Sequence, residues 1–355
     1  DVIGWDVGGA HLKACWLHHG RVRDVAQWAC PLWQGLEHLD AALVLARQRW
    51  PQAMDETGTA HAVTMSGEMV DLFADRADGV RRISQTLAER LPGPVRLYAG
   101  PQRWVTSAQA VAHWPAIASA NWLACAQHAA MRLGRGLLID IGSTTTDVIA
   151  FDQGRVLGGS VSDRDRLASG ELVYQGVVRT PLCALAPRIV FQGQTLNVMN
   201  EWFATTADVY RLTGELDPAH DQQPTADGAD KSLPATRSRL ARLVGCDARD
   251  GTDADWLAFA HAWRAAQCDE IASQVRRVLA RHGRTPEDAG HVVAAGCGAF
   301  LVPTVLGQPG RPVHDYGRDV AEASADLIAW TRVCAPSVSV ATLWLNDHRP
   351  DGGAG

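Results

Sequence analysis

One motif occurs twice in this chain, 134 residues apart. Asp6-Val7-Gly8-Gly9 leads through an apolar segment to the turn Gly20-Arg21-Val22, and Asp140-Ile141-Gly142-Ser143 leads likewise to Gly154-Arg155-Val156. The Asp, the glycines, the arginine and the valine keep register over 17 positions. The sequence therefore predicts a fold that contains two copies of one unit.

The residues of the motif indicate phosphate and metal chemistry. An apolar strand delivers an aspartate to its carboxyl end, and the following glycine allows a tight reversal and a close approach of the backbone to a phosphate. Asp6 and Asp140 are expected to hold a hydrated magnesium ion, while the turns donate hydrogen bonds to phosphate oxygens. The alternative is a duplicated hairpin whose aspartates only cap turns, for which Gly-Ser-Thr-Thr-Thr-Asp is a costly sequence.

This arrangement resembles the superfamily of acetate and sugar kinases, Hsp70 and actin. The resemblance implies an α/β fold of duplicated ribonuclease H-like domains around a central cleft, in which the two motifs grip a polyphosphate from opposite sides. A third expected element is an apolar strand ending in two glycines beneath an adenosine. The segment 292–301 fits it, with Cys297 where many members carry another glycine, so Gly296 and Gly298 become nucleotide-loop candidates.

The chain is expected to form two domains. The first covers 1–133 and is completed by a C-terminal helix at 317–346; the second covers 134–316 and contains an irregular insertion at about 161–234, with a mobile loop at 217–233. Predicted strands lie near 2–8, 11–18, 21–30, 59–67, 95–99 and 292–301. Predicted helices lie near 35–49, 78–91, 107–132, 254–283 and 319–333.

Composition limits the classes of partner. With 355 residues, 46% hydrophobic and 20% charged, the chain is ordinary globular protein. Its net charge is −6 and its basic residues form no stripe beyond a small cluster at Arg76, Arg81 and Arg82, which argues against nucleic-acid binding. No apolar run approaches 18 residues and no basic leader precedes the first strand, so we expect neither a membrane partner nor secretion, and a cytoplasmic location. The oligomeric state stays open, a homodimer included.

The eight cysteines are scattered and contain no C-x-x-C pair. They match neither a zinc site nor a disulfide framework, so most are expected to be small buried residues. Cys297 has two interpretations, a small residue tolerated at a turn or a participant in the glycine loop.

Three segments narrow the resemblance. The stretch 172–181, LVYQGVVRTP, resembles an element of the hydantoinase A/oxoprolinase-like branch, as does 64–69, TMSGEM. The stretch 203–212, FATTADVYRL, is similar to a narrower group, the proteins encoded with tetrahydromethanopterin-linked C1-transfer pathways in methylotrophic bacteria. Archaeal relatives of that group make the furan-tyramine precursor of methanofuran. The resemblance covers nearly the whole chain.

The resemblance implies a transferase. The archaeal reaction joins the phenol oxygen of tyramine, or of γ-glutamyl-tyramine, to an aminomethyl-furan carbinol activated as a diphosphate, and releases pyrophosphate. Clamped phosphate charge and magnesium would stabilise the leaving group while positive charge develops on the furan-conjugated carbon. The expected cofactor is Mg²⁺, with ATP allowed but not required, and the partners are small molecules.

Residue roles follow from the motifs and the resemblance. Glu68 ends a buried strand and is the candidate base for the phenol, unless it caps the next helix. Lys13 is either a phosphate ligand or a solvated strand lysine. Arg179 and Thr180 either bind diphosphate or the substrate's carboxylate, or have a structural role with Arg179 in a salt bridge. Asp208 is either a helix cap or an amine or metal ligand. The expected phosphate-binding residues are Gly8, Gly9, Lys13, Gly142, Ser143, Thr144 and Thr145; the expected catalytic and metal residues are Asp6, Glu68, Asp140 and Asp147.

Two other classes compete with the transferase. One is an ATP-dependent enzyme, either a small-molecule kinase or an amide-ring opener of the hydantoinase or oxoprolinase kind, which the glycine loop at 296–298 favours. The other is a nucleotide-sensing scaffold, for which the sequence offers no filament surface or peptide-binding domain.

Overall fold

The structure is a computed structural model that describes residues 1–158, 162–308 and 310–348. The chain divides into two compact units. Unit 1 comprises Asp1–Gly136, Ile149–Arg166 and His314–Gly355, and unit 2 comprises Leu137–Val148 and Leu167–Val313. The predicted boundary at 133/134 lies close to the division after Gly136, whereas 149–166, predicted for the second domain, groups with unit 1. Val161, where the predicted insertion begins, lies outside the described residues.

Groups of strands are separated by helices along the described residues. The strands are β1 (Val2–Val7), β2 (His11–His18), β3 (Arg21–Ala29), β4 (Ala60–Met65), β5 (Val95–Tyr98), β6 (Trp104–Val105), β7 (Gly136–Ile141), β8 (Thr146–Asp152), β9 (Arg155–Val156), β10 (Leu172–Val173), β11 (Arg188–Phe191), β12 (Gln194–Asn197), β13 (His291–Ala295) and β14 (Val313–Asp315). The α-helices are α1 (Glu37–Arg49), α2 (Pro51–Asp55), α3 (Arg76–Arg90), α4 (Trp114–Ile117), α5 (Asn121–Leu133), α6 (Asp163–Ser169), α7 (Leu182–Leu185), α8 (Thr206–Thr213), α9 (Leu233–Arg242), α10 (Asp253–Arg281), α11 (Val302–Leu306), α12 (Ile328–Val333) and α13 (Ala335–Asp347).

The first sheet places the first motif at a strand end shared by neighbours. Its order is β3-β2-β1-β4-β5-β6. β1 pairs antiparallel with β2 and parallel with β4, so that Val7 lies beside Met65. Because parallel strands end at the same edge of a sheet, the turn after Asp6 and the segment after Met65, which contains Glu68, are neighbours.

The second sheet repeats this order. It runs β10-β8-β7-β13-β14, with β9 also paired to β8. In each sheet the motif-bearing strand, β1 or β7, lies between the strand that follows it directly and a strand reached through a longer connection. The repeated order confirms the duplication that the sequence predicts, and with it the ribonuclease H-like α/β topology.

A strand is present in every predicted strand segment, although the one predicted at 292–301 ends at Ala295. Two of the predicted helices are interrupted. The predicted helix at 107–132 is a 3₁₀ segment, Ser107–His113, followed by α4 and α5, with Ser119 at φ +51 between them. The predicted helix at 319–333 is a π-helical turn, Tyr316–Val320, followed by α12. The region 161–234 was expected to be irregular, yet its described part contains α6, α7, α8 and the β11–β12 hairpin.

The C-terminal helix belongs to the core of unit 1. A Cβ at Gly4 in β1 would overlap the Ser337 carbonyl of α13, so the missing side chain is what lets the helix approach the sheet. The predicted completion of the first domain by a C-terminal helix thus corresponds to α13. Among the described residues, no helix is long and apolar enough to cross a membrane.

Candidate active site

The first turn is built from backbone contacts. Gly8 N donates to His11 O at 2.9 Å, which closes the turn between β1 and β2. The Val7 carbonyl accepts from Ser66 N at 3.0 Å and from Gly67 N at 2.9 Å. A Cβ at Gly67 would lie 2.9 Å from the Gly8 carbonyl, so the segment after β4 presses directly on the turn. The two predicted phosphate glycines are therefore held in one fixed conformation.

Asp6 and Lys13 face each other across β1 and β2. Their Cα atoms are partners in the antiparallel ladder, which puts both side chains on the same face of the sheet. Asp6 is 3% exposed and Lys13 is half-buried. Partial exposure of Lys13 is compatible with both interpretations, a phosphate ligand and a solvated strand lysine, so each stays a prediction.

Glu68 lies beyond the end of β4 and is completely buried. It does not cap the next helix, since the cap of α3 is Asp75, whose side chain accepts from Asp78 N. A Cβ at Gly79 in α3 would overlap the Glu68 backbone, so α3 packs tightly on this residue. Helix capping is therefore excluded for Glu68, and an acid–base role stays open.

Glu68 has three polar neighbours in unit 1. Its Oε1 accepts from Ser119 Oγ at 2.9 Å and lies 3.4 Å from Arg76 Nη2. Burial raises the pKa of Glu68; the Ser119 hydrogen bond and the Arg76 charge lower it, and the negative charge of Asp163 raises it. Arg76, Ser119 and Asp163 are absent from the predicted site. Arg76 gave a weak signal as part of the arginine cluster, whereas the sequence marks neither Ser119 nor Asp163.

The second turn closes like the first but has polar side chains at its tip. Gly142 N donates to Thr145 O at 2.8 Å, which leaves Ser143 and Thr144 between them. Ser143, Thr144 and Thr145 are half-buried. Asp140 is the penultimate residue of β7, and Asp147 lies on β8 opposite Leu172 of β10. The structure thus brings the hydroxyl-bearing residues of the motif together in one loop of unit 2.

The segment 176–180 supports this second turn. Val177 N donates to Gly142 O at 3.0 Å, and Arg179 N donates to Ser143 O at 2.8 Å. A Cβ at Gly176 would overlap the backbone between Ser143 and Thr144. With its carbonyls held from one side, the turn has a fixed shape.

Arg179 and Thr180 have different surroundings. Arg179 Nη1 donates to Thr144 Oγ1 at 3.3 Å, and burial lowers the pKa of this guanidinium. An arginine whose charge is partly desolvated beside a hydroxyl loop is well suited to bind an anion. Thr180 Oγ1 instead bonds both backbone groups of Gly176, accepting from its N at 2.8 Å. Arg179 is therefore suited to bind substrate, whereas Thr180 stabilises the segment 176–180 that supports the second turn.

The glycine loop after β13 packs on the end of β7. Gly296 has φ +80, and a Cβ there would overlap Ile141 O and approach Asp140. Gly298 N donates to Ile141 O at 2.7 Å. Packing alone accounts for both glycines, so their presence does not require an adenosine. Cys297 between them is half-buried.

Asp208 belongs to the capping box of α8, whose N-cap residue is Thr205. Asp208 is the third residue of the helix, and its Oδ2 accepts from Thr205 N at 3.0 Å. Its Oδ1 accepts from Arg211 Nη1 at 2.7 Å and from Arg239 Nε at 2.8 Å. Asp208 thus helps to cap α8 without being its N-cap, and a ligand role would require breaking these bonds. The loop at 217–233 is tied to the same network, because Asp221 accepts from Arg211 Nε at 2.6 Å.

The described residues contain no group of three or more His, Cys, Asp and Glu side chains arranged to hold a metal ion. This does not conflict with magnesium, which is commonly held by one or two carboxylates together with waters and substrate phosphates. Asp6 and Asp140, each at the end of a strand beside a glycine turn, are donors of that type. None of the eight cysteines, all within the described ranges, forms a disulfide, and five are buried.

Comparison with known proteins assigns the family. Residues 59–327 match the family described as hydantoinase/oxoprolinase. The chain belongs to this family. It is also 27% identical over 326 residues, 91% of this chain and 94% of the relative, to the (4-{4-[2-(γ-L-glutamylamino)ethyl]phenoxymethyl}furan-2-yl)methanamine synthase of Methanocaldococcus jannaschii. A synthase of the same name from Methanococcus vannielii is 26% identical over 219 residues, 59% of this chain and 91% of the relative.

A solved structure supports the fold. The nucleotide-free structure of acetone carboxylase, from work on ATP-dependent acetone carboxylation, matches with a TM-score of 0.50 at 10% identity and covers 96% of this chain and 70% of its own. At that identity the likeness concerns the fold alone.

Proposed function

We propose that this chain is a synthase of a methanofuran-type cofactor precursor. It forms the aryl ether between the phenol of tyramine or γ-glutamyl-tyramine and an aminomethyl-furan carbinol diphosphate, with release of pyrophosphate. The observation that carries the proposal is the similarity to the Methanocaldococcus jannaschii synthase, which extends over nearly the full length of both chains. The name of that relative describes a product whose phenoxymethyl-furan link is the bond to be made.

The second turn suits the diphosphate. Ser143, Thr144 and Thr145 offer hydroxyl donors, and Arg179 beside Thr144 offers a guanidinium. Such donors stabilise the charge that accumulates on a departing pyrophosphate. We propose Asp140 as a carboxylate that would hold a magnesium ion beside this turn, with Asp6 as the equivalent candidate in unit 1. The ion would supply further neutralisation of the leaving group.

The phenol needs a base, because its pKa is about 10. In unit 1 the best-built acid–base group is Glu68 with its neighbours Arg76, Ser119 and Asp163. A carboxyl whose pKa is raised by burial accepts a proton more readily at neutral pH than an exposed one. We therefore place proton removal from the phenol at this group.

The test is a reconstitution without nucleotide. Protein, magnesium, an aminomethyl-furan carbinol diphosphate and tyramine should yield the ether and pyrophosphate in one-to-one ratio, and chelation of magnesium should slow the reaction. Glu68→Gln should lose less activity at high pH, where the phenol ionises without help. Strict dependence on ATP, with ADP or AMP released, would overturn the proposal in favour of a kinase or an amide-ring opener.

A further inference from the structure

Four side chains form a polar cluster in unit 1, which we call the Glu68 cluster: Glu68, Arg76, Ser119 and Asp163. They come from the segment after β4, from α3, from the loop before α5 and from α6. Ser119 Oγ lies 2.9 Å from Glu68 Oε1 and 3.0 Å from Asp163 Oδ2. Arg76 Nη2 donates to Ser119 Oγ at 2.8 Å and also to Asp163. One hydroxyl therefore links two carboxylates.

The two carboxylates differ in exposure. The Glu68 side chain is 0% exposed, whereas Asp163 is 14% and Arg76 is 26% exposed. Glu68 Oε2 is buried and has no hydrogen-bond partner among the described residues. Asp163 is therefore the carboxylate of the pair that solvent reaches, whereas Glu68 is enclosed.

Ser119, whose hydroxyl links the two carboxylates, has a strained backbone conformation. Ser119 has φ +51, in the left-handed region that is uncommon for residues other than glycine, asparagine and aspartate. Backbone strain of this kind persists where surrounding structure enforces it, and it concentrates at functional sites. Arg76 and the two carboxylates supply that enforcement here.

Asp163 is also anchored from its outer side. Its Oδ1 lies 3.5 Å from Arg166 Nη1, and the Arg166 guanidinium stacks over Trp122 with 4.2 Å to the ring centroid. With two arginines beside it, the Asp163 side chain is held in place. Glu68, by contrast, is the carboxyl of the pair that burial and its neighbour push towards the protonated form.

We infer that Asp163 is the carboxylate that contacts the substrate phenol. Ser119 relays the proton that Asp163 takes from the phenol to Glu68, and Arg76 positions Ser119 and Asp163. The inference rests on the proposed function. The phenol O–H bond breaks and its proton moves to Asp163 Oδ2. That proton passes to Ser119 Oγ as the Ser119 proton passes to Glu68 Oε1. The phenolate oxygen forms the C–O bond to the furan methylene, and the bond from that carbon to diphosphate breaks.

The first test needs no substrate. An infrared titration of the whole protein follows the protonated carboxyl band of Glu68, identified by its loss in Glu68→Gln. Asp163→Asn removes a negative neighbour and should lower the titration midpoint; Ser119→Ala removes a stabilising hydrogen bond and should raise it. Asp165→Asn, at an exposed residue of the same helix, is the matched control and should not move it.

The second test uses the reaction. Asp163→Asn should reduce kcat by about 10²-fold, the scale of a lost acid–base group, and the loss should shrink as pH approaches the phenol pKa of about 10. Ser119→Ala and Ser119→Gly both remove the hydroxyl, but glycine tolerates φ +51. Equal losses of kcat in these two variants assign the effect to the hydroxyl. The double variant Glu68→Gln/Asp163→Asn should be no slower than the slower single variant.

The outcomes separate the two proposals. Titrations that do not shift, beside an active wild type, overturn the relay alone, as does an Asp163→Asn loss that is equal at every pH. A wild type that makes no ether overturns the proposed reaction and with it the phenol as proton source, whatever the titration shows. Opposite midpoint shifts together with rescue at high pH support both.

Discussion

The turns after β1 and β7 share a backbone design and differ in chemistry. Each closes through the amide of its first glycine, Gly8 to His11 O at 2.9 Å and Gly142 to Thr145 O at 2.8 Å. A glycine from another segment packs closely against the backbone of each turn, Gly67 in unit 1 and Gly176 in unit 2. Duplication therefore preserved the shape of the turn and the position of its aspartate.

The difference lies in the side chains around the turns. The tip of the first turn is Gly9-Ala10, which has no polar side chain. The Glu68 cluster follows the strand β4 that lies beside β1. The second turn has Ser143 and Thr144, with Arg179 donating to Thr144. Under the proposed function, proton transfer would fall to unit 1 and anion binding by side chains to unit 2.

The largest expected effect comes from the repeated aspartates. Asp6→Asn and Asp140→Asn each keep side-chain volume and remove a charge, so each should lower kcat by roughly 10²–10³-fold, the scale for one preorganised electrostatic group. Steady-state kinetics at saturating magnesium measure this, with exposed Asp55→Asn as the control. Near-normal turnover in both variants would show that the motif is not the active site, and loss in one alone would show that the repeat is functionally asymmetric.

Acidic pH should lower the folding stability of unit 1, because this unit contains two buried neutral histidines. Burial lowers the pKa of His61 to about 4 and that of His128 to about 3. The neutral His61 accepts from Trp5 Nε1 at 3.1 Å, and its Nε2 donates to Pro92 O at 2.7 Å. Unfolding lets each histidine bind a proton near pH 6.5, so the stabilisation is present above that pH and is lost as pH falls towards 4.

For His61 the loss is about 3 kcal/mol over that window. Hydrogen exchange, corrected for the intrinsic rate, should show β4 losing protection between pH 6.5 and 4 more steeply than β13. The variant His61→Gln should be less stable at pH 7 but less sensitive to pH. Equal pH dependence of the two strands in the wild type would contradict this difference between the units.

The supporting glycines offer a smaller and purely steric test. A methyl group at Gly176 would overlap the Ser143 and Thr144 backbone, whereas at Gly67 it would lie 2.9 Å from the Gly8 carbonyl. Both alanine variants should lose about 1–3 kcal/mol of stability, as overpacked sites do, with Gly176→Ala the more damaging. Chemical denaturation measures this, and Gly58→Ala, where nothing lies within 4 Å, is the control. A larger loss of stability in Gly67→Ala than in Gly176→Ala would contradict the closer packing of Gly176 on its turn.

The sequence predicted what depends on local pattern. The repeat, the strand positions and the glycine turns follow from residues that are adjacent in the chain, because their periodicity and backbone demands are local. The assembly of Glu68 with Ser119 and Asp163 could not be predicted, because these residues are 51 and 44 positions apart and only tertiary packing joins them. The same reason explains the contact of Asp208 with Arg239, 31 positions away on α9. It also explains the helix predicted at 107–132, which is interrupted at Ser119, where the side chain contacts Glu68 and Asp163.

The smallest expected effect tests whether the second turn binds anions through its side chains. Thr144→Val keeps the shape of the side chain but removes the hydroxyl that accepts from Arg179, so Arg179 loses a positioning contact and a phosphate loses a donor. One such hydrogen bond contributes about 0.5–1.5 kcal/mol, so pyrophosphate with magnesium should bind roughly 2- to 10-fold more weakly by calorimetry. Thr195→Val, the same change at an exposed position of the β11–β12 hairpin, should leave binding unchanged. In the wild type the same ligand should slow hydrogen exchange at 140–147 more than at 6–10, because only the second turn adds hydroxyls to its backbone donors. Stronger protection of the first turn, or normal affinity in Thr144→Val, would reverse the proposed division between the two units.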